Sequence, residues 1–373
     1  MSRDHWILAA AAALSVAALI WMPLPAVWVA LLCAGICLLR LPRSRRRFLW
    51  FNAALALLAL AVIEAALGLQ PQAWHAGDYE HADYFDDDPD LGYVARPGQR
   101  STHEKRLGDS MLYSVAYTIE DSGVRRSNPP SKREGGPCVL FFGGSFTFGE
   151  GLNDEETFPY LTSLAVGDRL HTLNFGFHGY GPHHILAMIE SGRVDRAVDC
   201  EPRAAIYLAL GDHVFRSAGL RWWDDRGPRY VIGPDGRAHR RGQFNDDRGL
   251  LDVPRRFLQK KSEIARRLRS RTRPLEDRDY ALHVALVDEM RAQLEATYPG
   301  IEFGVILWDV GDLPGSPSRM RAELEERGIE IDRLAEILDQ LDEEASDLTI
   351  PGDGHPNARA NEILARHLES KLP

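Results

Sequence analysis

The chain has 373 residues, of which 45% are hydrophobic and 26% charged, and its formal net charge at pH 7 is −10. All of the acidic excess lies after the first 70 residues, which argues against nucleic acid or anionic lipid headgroups as main partners of that part. The sequence contains no internal repeat and no low-complexity tract outside its alanine-rich N-terminal segments.

The N-terminal part contains three apolar segments, Trp6 to Met22, Ala26 to Leu39 and Phe48 to Leu69. Pro23 and Pro25 separate the first two, and a membrane-spanning helix needs about 20 residues. The pattern predicts a membrane anchor of three transmembrane helices over residues 1–70. The alternative, a signal peptide followed by a buried hairpin, is disfavoured because the third segment is long and apolar for a soluble helix.

Five arginines lie between the second and third apolar segments: Arg40, Arg43, Arg45, Arg46 and Arg47. Positively charged loops stay on the cytoplasmic side, so the N-terminus is expected inside and everything after about residue 70 outside. In a bacterium this describes a multi-pass inner-membrane protein whose soluble part faces the periplasm.

Residues 71–135 are predicted to form a small β-rich linker module. Tyr113 to Ile119 alternates apolar and polar residues, as a half-buried strand does, and a turn is expected at Asp121-Ser122-Gly123. The acidic run Asp86-Asp87-Asp88 lacks the spacing of a calcium loop and is interpreted as a solvated linker.

The most informative stretch of the chain is residues 139–151, where an apolar run ends at Gly143-Gly144 and Ser145 follows at once. The pattern predicts a buried parallel strand that delivers Ser145 to the carboxyl edge of a sheet, where open α/β folds bind ligands. A serine held there is a candidate nucleophile, and the alternative is a glycine-rich turn with an incidental serine.

A candidate base lies near the end of the chain, in Asp353-Gly354-His355-Pro356, ahead of a predicted helix from Ala358 to His367. Imidazole titrates near neutrality and suits the removal of a serine proton, while a carboxylate beside it fixes its tautomer. The alternative reading is a capped helix start, which is compatible with the catalytic one.

Strands and helices alternate after residue 136. Strands are expected at Leu170–Phe175, Ala204–Leu210 and Glu302–Trp308, and helices at Pro182–Ser191 and Tyr280–Tyr298. This alternation predicts an α/β fold with a doubly wound, flavodoxin-like parallel sheet over residues 136–373.

An insertion is expected at about residues 217–279, where it would shape a substrate cleft. It contains Trp222-Trp223, a hairpin turn at Gly233 to Gly236, and a basic stretch from Arg255 to Arg273. The tryptophans would stack on a sugar or grip an acyl chain, or else simply pack the insertion. The basic stretch is read as a solvated helix face, with contact to a membrane surface left open.

Cys138 opens the strand before Ser145, and Cys200 precedes Ala204–Leu210. In a sheet of order 2-1-3-4-5 these two strands are parallel neighbours. An oxidising compartment would therefore allow a disulfide between Cys138 and Cys200. Cys33 and Cys37 are one turn apart in the second apolar segment and are interpreted as packing or lipid-facing residues.

A serine early in an α/β domain and a late Asp-x-His resemble the SGNH or GDSL hydrolase family over about residues 136–371. The resemblance implies that Ser145 is the nucleophile, His355 the base and Asp353 its orienting acid. The stretch from Asn174 to Gly181 is similar to the family's second block and implies that the Gly179 N–H binds the oxyanion.

Three departures from the family pattern are present. Gly144 replaces an aspartate that is not the nucleophile, and Asp353-x-His355 is one residue shorter than the usual Asp-x-x-His. Asp212 stands where the family has an oxyanion-binding asparagine, although a carboxylate only accepts hydrogen bonds. We therefore expect His213 to be the substitute donor, with Asp212 or a backbone carbonyl fixing its tautomer; the alternative is that the backbone N–H groups of Ser145 and Gly179 hold the oxyanion alone.

The sequence thus predicts a membrane-anchored serine esterase that cleaves acyl esters of carbohydrate or lipid. Two alternatives stay open: an O-acyltransferase that works with an acyl-donating membrane partner, and a non-catalytic carbohydrate-binding protein. We expect no cofactor and no metal. The phosphate-loop lysine is missing, there is no His-Glu-x-x-His, and the adjacent His183 and His184 are expected to point in different directions.

Overall fold

The computed structural model describes residues 47–68, 84–132, 135–246, 262, 264 and 273–372. The chain divides into two compact units, one of residues 1–75 and 247–273, and the other of residues 76–246 and 274–373. The first two predicted membrane segments, and nearly all of the basic stretch from Arg255 to Arg273, lie outside the described residues.

In the first unit, a helix runs over Arg47–Gly68, where the third membrane segment is predicted. Its described side chains extend from Phe51 to Leu67 and include five exposed large apolar residues: Phe51, Leu55, Leu60, Val62 and Ile63. Within the described ranges, no helix reaches both the length and the apolarity that crossing a membrane requires.

A five-stranded parallel sheet forms the centre of the second unit. Across the sheet its strands are Glu330–Arg333, Glu302–Trp308, Glu201–Leu210, Pro137–Phe142 and His171–Asn174. Numbered along the chain and taken from the other edge, this is the expected order 2-1-3-4-5. The strand before Ser145 therefore lies between the central strand, Glu201–Leu210, and the edge strand, His171–Asn174.

Successive residues of each strand supply two different cores. Leu140 and Phe142 face one core, while Val139 and Phe141 face the other, as the two-residue period of a strand requires. The first core also contains residues of the helices Pro182–Glu190 and Asp277–Thr297. The second contains residues of Phe158–Ala165, Leu334–Leu341 and Ala358–Lys371, so helices cover both faces of the sheet.

The remaining helices of the second unit are short: Ser145–Phe148, Arg193–Ala197, Asp212–Ser217 and Pro317–Glu325, with 3-10 turns at Asp154–Glu156, Gly167–Arg169 and Trp222–Asp224. Its described residues also form three antiparallel hairpins: Phe85–Asp88 with Gly92–Ala95, Arg100–Leu107 with Ser110–Thr118, and Pro228–Ile232 with Ala238–Gln243. The last hairpin turns at Gly233 to Gly236, as the sequence predicts.

The two N-terminal hairpins share a core with the central sheet. Tyr84, Tyr113 and Tyr117 pack in the same hydrophobic cluster as Leu140 and Phe142 of the strand before Ser145. The β-rich segment is therefore part of one compact unit with the α/β domain, and no structural boundary falls at residue 135.

A disulfide joins Cys138 to Cys200 across neighbouring strands, with the two Cα atoms 6.0 Å apart. The strand that contains Tyr207 begins at Glu201, three residues earlier than the sequence predicts. This earlier start brings Cys200 beside Cys138, because Cys138 pairs with Pro202 in the sheet register.

Candidate active site

Ser145 lies where the strand Pro137–Phe142 ends and the short helix Ser145–Phe148 begins. It is buried, with 4% of its surface exposed. Gly143 has φ +157°, and a Cβ there would lie 2.0 Å from the Thr147 Oγ1. The turn therefore requires glycine at this position, and it holds Ser145 at the carboxyl edge of the sheet.

Ser145, His355 and Asp353 form a hydrogen-bonded chain, although Ser145 and His355 are 210 residues apart in sequence. The His355 Nε2 is 2.9 Å from the Ser145 Oγ, and the His355 Nδ1 is 2.6 Å from the Asp353 Oδ2. In this geometry the imidazole can take the hydroxyl proton while the carboxylate holds its other nitrogen.

The shortened Asp-x-His motif brings its two side chains together through the residue between them. Gly354 has φ +92°, a conformation that favours glycine, and the His355 N–H donates to the Asp353 Oδ2 over 3.1 Å. The tight turn compensates for the missing residue, so the carboxylate still faces the ring.

Lys105, from the strand Arg100–Leu107, forms an ion pair with the second carboxylate oxygen of Asp353. Its Nζ donates to the Asp353 Oδ1 over 2.5 Å, and both residues are largely buried. Burial alone would raise the pKa of Asp353, but the hydrogen bonds from His355 and Lys105 outweigh it and lower the pKa. Asp353 is therefore an ionised carboxylate, as an orienting acid must be.

Glu150 is a second carboxylate in the site. Its Oε2 is 2.7 Å from the His178 Nδ1 and 3.3 Å from the His355 Nε2. Burial alone would raise the pKa of Glu150, but His355 and His178 outweigh it and hold the pKa well below its usual range. Tyr84 completes the chain, with its hydroxyl 2.9 Å from the His178 Nε2.

His213 lies beside Gly144, the residue before Ser145. A Cβ added to Gly144 would be 3.1 Å from the His213 Nε2, 2.7 Å from the Arg216 Nη1 and 2.9 Å from the Tyr180 carbonyl oxygen. A larger side chain at position 144 would therefore meet the His213 imidazole and the Arg216 guanidinium. The buried His213 Nε2 makes no hydrogen bond within the described part of the chain.

The prediction that Asp212 or a backbone carbonyl fixes the His213 tautomer is wrong. Its Nδ1 is 2.6 Å from the Tyr207 hydroxyl, whereas Asp212 accepts from Arg216 Nε over 2.7 Å and also pairs with Arg221. Arg216 is one helical turn beyond Asp212, and an arginine satisfies a buried carboxylate better than a neutral imidazole does. Asp212 therefore positions two arginines, and Tyr207 sets the orientation of the His213 ring.

Gly179 lies in the turn between the strand His171–Asn174 and the helix Pro182–Glu190. It has φ +71°, and a Cβ there would meet the Tyr93 hydroxyl at 2.5 Å and the Trp223 Nε1 at 2.8 Å. Trp223, from the insertion, is 40% exposed. The turn that contains Gly179 thus packs against two aromatic side chains, Tyr93 and Trp223. The role of the Gly179 N–H in binding the oxyanion stays a prediction.

Adjacent histidines at the start of the helix Pro182–Glu190 converge on one carboxylate of the insertion. The Nε2 atoms of His183 and His184 are 2.7 and 3.2 Å from the Asp224 oxygens, so the expected divergence of these rings is wrong. Neighbouring helical side chains are about 100° apart, and the imidazole rings are long enough to bridge that separation. The contact fastens the insertion to the α/β unit at a fully buried position.

Sequence reasoning missed Lys105, Glu150, His178 and Tyr84. Glu150 follows the serine motif by five residues, and its glycine neighbours Gly149 and Gly151 were the available signal for a turn back toward the site. Lys105 gives no such signal, because a lysine in a hairpin strand usually faces solvent.

No family model and no curated protein matches the chain. Among solved structures, it is similar to a putative GDSL-family lipolytic protein from Desulfitobacterium hafniense, at 13% identity and a TM-score of 0.35, covering 63% of this chain and 99% of that one. The carbohydrate acetylesterase Est24 from Sinorhizobium meliloti matches at 13% identity and a TM-score of 0.33, covering 63% and 98%. A family two carbohydrate esterase from Clostridium thermocellum matches at 10% identity and 0.37, covering 67% of each chain.

These TM-scores lie below 0.5, so the likeness adds no weight of its own. Three features of the chain itself support a resemblance to a known family: a Gly-Gly-Ser turn, a late Asp-x-His and a sheet of order 2-1-3-4-5. The chain resembles the SGNH hydrolases. At two departures from their pattern, Gly144 lies against the His213 and Arg216 side chains, and Asp212 pairs with Arg216.

Proposed function

We propose that the chain is a serine esterase that cleaves acyl esters of carbohydrate or lipid through an acyl-enzyme. The observation that supports this most directly is the continuous hydrogen-bonded chain from the Ser145 Oγ through His355 to Asp353. A serine is nucleophilic only when a base takes its proton, and here the base and its orienting acid are both in contact distance.

The reaction takes place in two halves. The Ser145 Oγ bonds to the ester carbonyl carbon as its proton passes to the His355 Nε2. The tetrahedral intermediate then collapses, its bond to the alcohol oxygen breaks, and the alcohol leaves with the proton from His355. Water attacks the acyl-enzyme in the same way, giving its proton to His355, and Ser145 recovers that proton as the acid leaves.

The oxyanion of each intermediate needs donors close to Ser145. We propose the backbone N–H groups of Ser145 and Gly179 together with the His213 Nε2. Burial and the Arg216 charge hold the pKa of His213 well below its usual value, so the ring is neutral. When the Tyr207 hydroxyl donates to Nδ1, the remaining proton is on Nε2, which then has a donor to offer.

A sugar hydroxyl in place of water would make the same site an O-acyltransferase served by an acyl-donating membrane partner. Trp223 supports this alternative, because its partly exposed ring next to Gly179 could stack on the sugar that accepts the acyl group. The alternative of a non-catalytic binding protein is disfavoured, since binding alone does not require a serine and a base in hydrogen-bond contact.

For location, we propose an inner-membrane anchor with the catalytic unit in the periplasm. The apolar N-terminal segments and the arginine cluster between them support this orientation. The Cys138–Cys200 disulfide supports an oxidising compartment. The exposed apolar side chains of the helix Arg47–Gly68 also support a membrane location, because such a surface is stabilised by contact with lipid or another apolar surface.

A fluorophosphonate probe tests the serine chemistry in the full-length protein. We expect covalent labelling of Ser145 and its loss in Ser145→Ala, while Ser370→Ala, which alters an exposed serine, is labelled normally. Persistent labelling and unchanged esterase activity in folded Ser145→Ala would refute the proposal. Nitrophenyl esters of increasing length, with and without an oligosaccharide acceptor, then distinguish esterase from transferase.

A further inference from the structure

A second carboxylate faces the nitrogen that exchanges the catalytic proton. The Glu150 Oε2 is 3.3 Å from the His355 Nε2, and the same nitrogen is 2.9 Å from the Ser145 Oγ. His355 therefore has Asp353 on its Nδ1 side and Glu150 on its Nε2 side. A triad with one orienting acid has no counterpart to the second contact.

The position of Glu150 is built into the loop after Ser145. Gly149 and Gly151 both have φ +82°, and the Glu150 N–H donates to the Ser145 carbonyl over 3.0 Å. The side chain is buried, with 6% of the residue exposed. The loop that follows the nucleophile thus directs a carboxylate toward its base.

The charges around His355 come from four groups. Asp353 and Glu150 are both ionised, Lys105 supplies one positive charge at 2.5 Å from Asp353 and 3.9 Å from Glu150, and His178 contacts Glu150. Two carboxylates and one ammonium leave one negative charge, which a single proton on an imidazole balances. His355 contacts both carboxylates, one at each ring nitrogen, so a positive charge on this ring is stabilised from two sides.

We propose that Glu150 is a further catalytic residue, which accepts the Nε2 hydrogen of protonated His355 and stabilises the imidazolium until the leaving alcohol takes the proton. The inference rests on the proposed function and deepens it. Burial works against the charged ring, but the two carboxylates outweigh it and raise the pKa of His355. In the free protein His355 thus keeps its proton to a higher pH than Asp353 alone would allow, and Ser145 gains its base only as the pH rises.

The pH dependence of fluorophosphonate labelling tests the inference in the full-length protein. Glu150→Gln keeps the shape of the side chain and removes its charge, so we expect the acidic limb of the labelling rate to move down by about one pH unit. Glu155→Gln, an exposed glutamate five residues away, is the matched control and should reproduce the wild-type profile. A limb that stays in place in Glu150→Gln, with a rate lowered equally at every pH, would mean that Glu150 only holds the loop.

A second variant keeps the test decisive if Glu150→Gln does not fold. Glu150→Asp retains the negative charge but moves it away from His355 by one methylene. The acidic limb of the labelling profile should therefore shift to lower pH, by less than in Glu150→Gln. An acidic limb at the wild-type pH would overturn the inference. The two proposals fail differently. Absence of Ser145 labelling in the wild-type protein removes the serine mechanism, whereas labelling with an unmoved limb removes only the role of Glu150.

Discussion

Arg125 offers a strong test of how the N-terminal hairpins support the nucleophile. Its side chain is fully buried and donates to three carbonyl oxygens of the loop after Ser145, those of Phe148, Gly149 and Leu152, at 2.5 to 2.7 Å. It also pairs with Asp154 at 3.3 Å. Arg125→Met keeps most of the apolar stem and removes every one of these donors.

The magnitude follows from the groups left behind. The Gly149 carbonyl retains a bond from the Leu152 N–H, but the other two carbonyls lose their donor inside the protein. Each orphaned group costs about 1–3 kcal/mol, and a broken buried ion pair about 3–5 kcal/mol in total. Asp154 still accepts from the Thr118 N–H, so we count only the two orphaned carbonyls, at about 2 kcal/mol each, and expect a loss of about 4 kcal/mol in the free energy of unfolding.

Thermal unfolding followed by circular dichroism measures this loss. For a unit of this size, about 4 kcal/mol corresponds to a fall of roughly 10 °C in Tm. Arg126→Met is the matched control, because Arg126 makes a half-exposed pair with Glu120 at 2.6 Å, and such pairs contribute about 0–1 kcal/mol. If Arg125→Met unfolds within about 2 °C of Arg126→Met, the reasoning about this buried cation is wrong.

Two further predictions concern acid stability and topology. Burial lowers the pKa of His183 to about 4 and that of His283 to about 3, so the unfolded chain binds protons from pH 6.5 downward before the folded one does. The free energy of unfolding should therefore fall as the pH drops from about 7 to 4, and it should fall less in His283→Leu than in the wild-type protein. Reporter fusions after residue 45 should be cytoplasmic and those after residue 75 periplasmic, and the reverse pattern would contradict the proposed orientation.

The sheet and the serine-histidine pair were predictable because both leave local signals. Apolar runs that end in glycine mark the strand ends, and residues at the carboxyl ends of parallel strands meet at one edge whatever their separation in sequence. This rule placed Ser145 at the sheet edge, whereas His355 follows no strand of the sheet and was paired with Ser145 by its chemistry and by the resemblance to the SGNH hydrolases. The bond between Asp353 and His355 depended on the conformation of Gly354, for which the sequence supplied only the presence of glycine.

The charged surroundings of His355 were not predictable from periodicity. Lys105 and Asp353 are 248 residues apart, and nothing in the hairpin pattern says that this strand lies against the catalytic loop. The same limit explains the error over His213. Sequence placed Asp212 next to it, but neighbours in sequence compete with Arg216 and Tyr207, whose positions depend on how the helix packs against the sheet.

The shared core of the N-terminal hairpins and the sheet has a practical meaning for anyone who truncates this protein. A fragment cut at residue 136 would carry every motif that identifies the domain, yet it would lack Tyr84, Lys105 and Arg125, which contact His178, Asp353 and the loop after Ser145. Motif searches and expression trials alike would place the start of the domain too late. A fragment that keeps these contacts begins at or before residue 84.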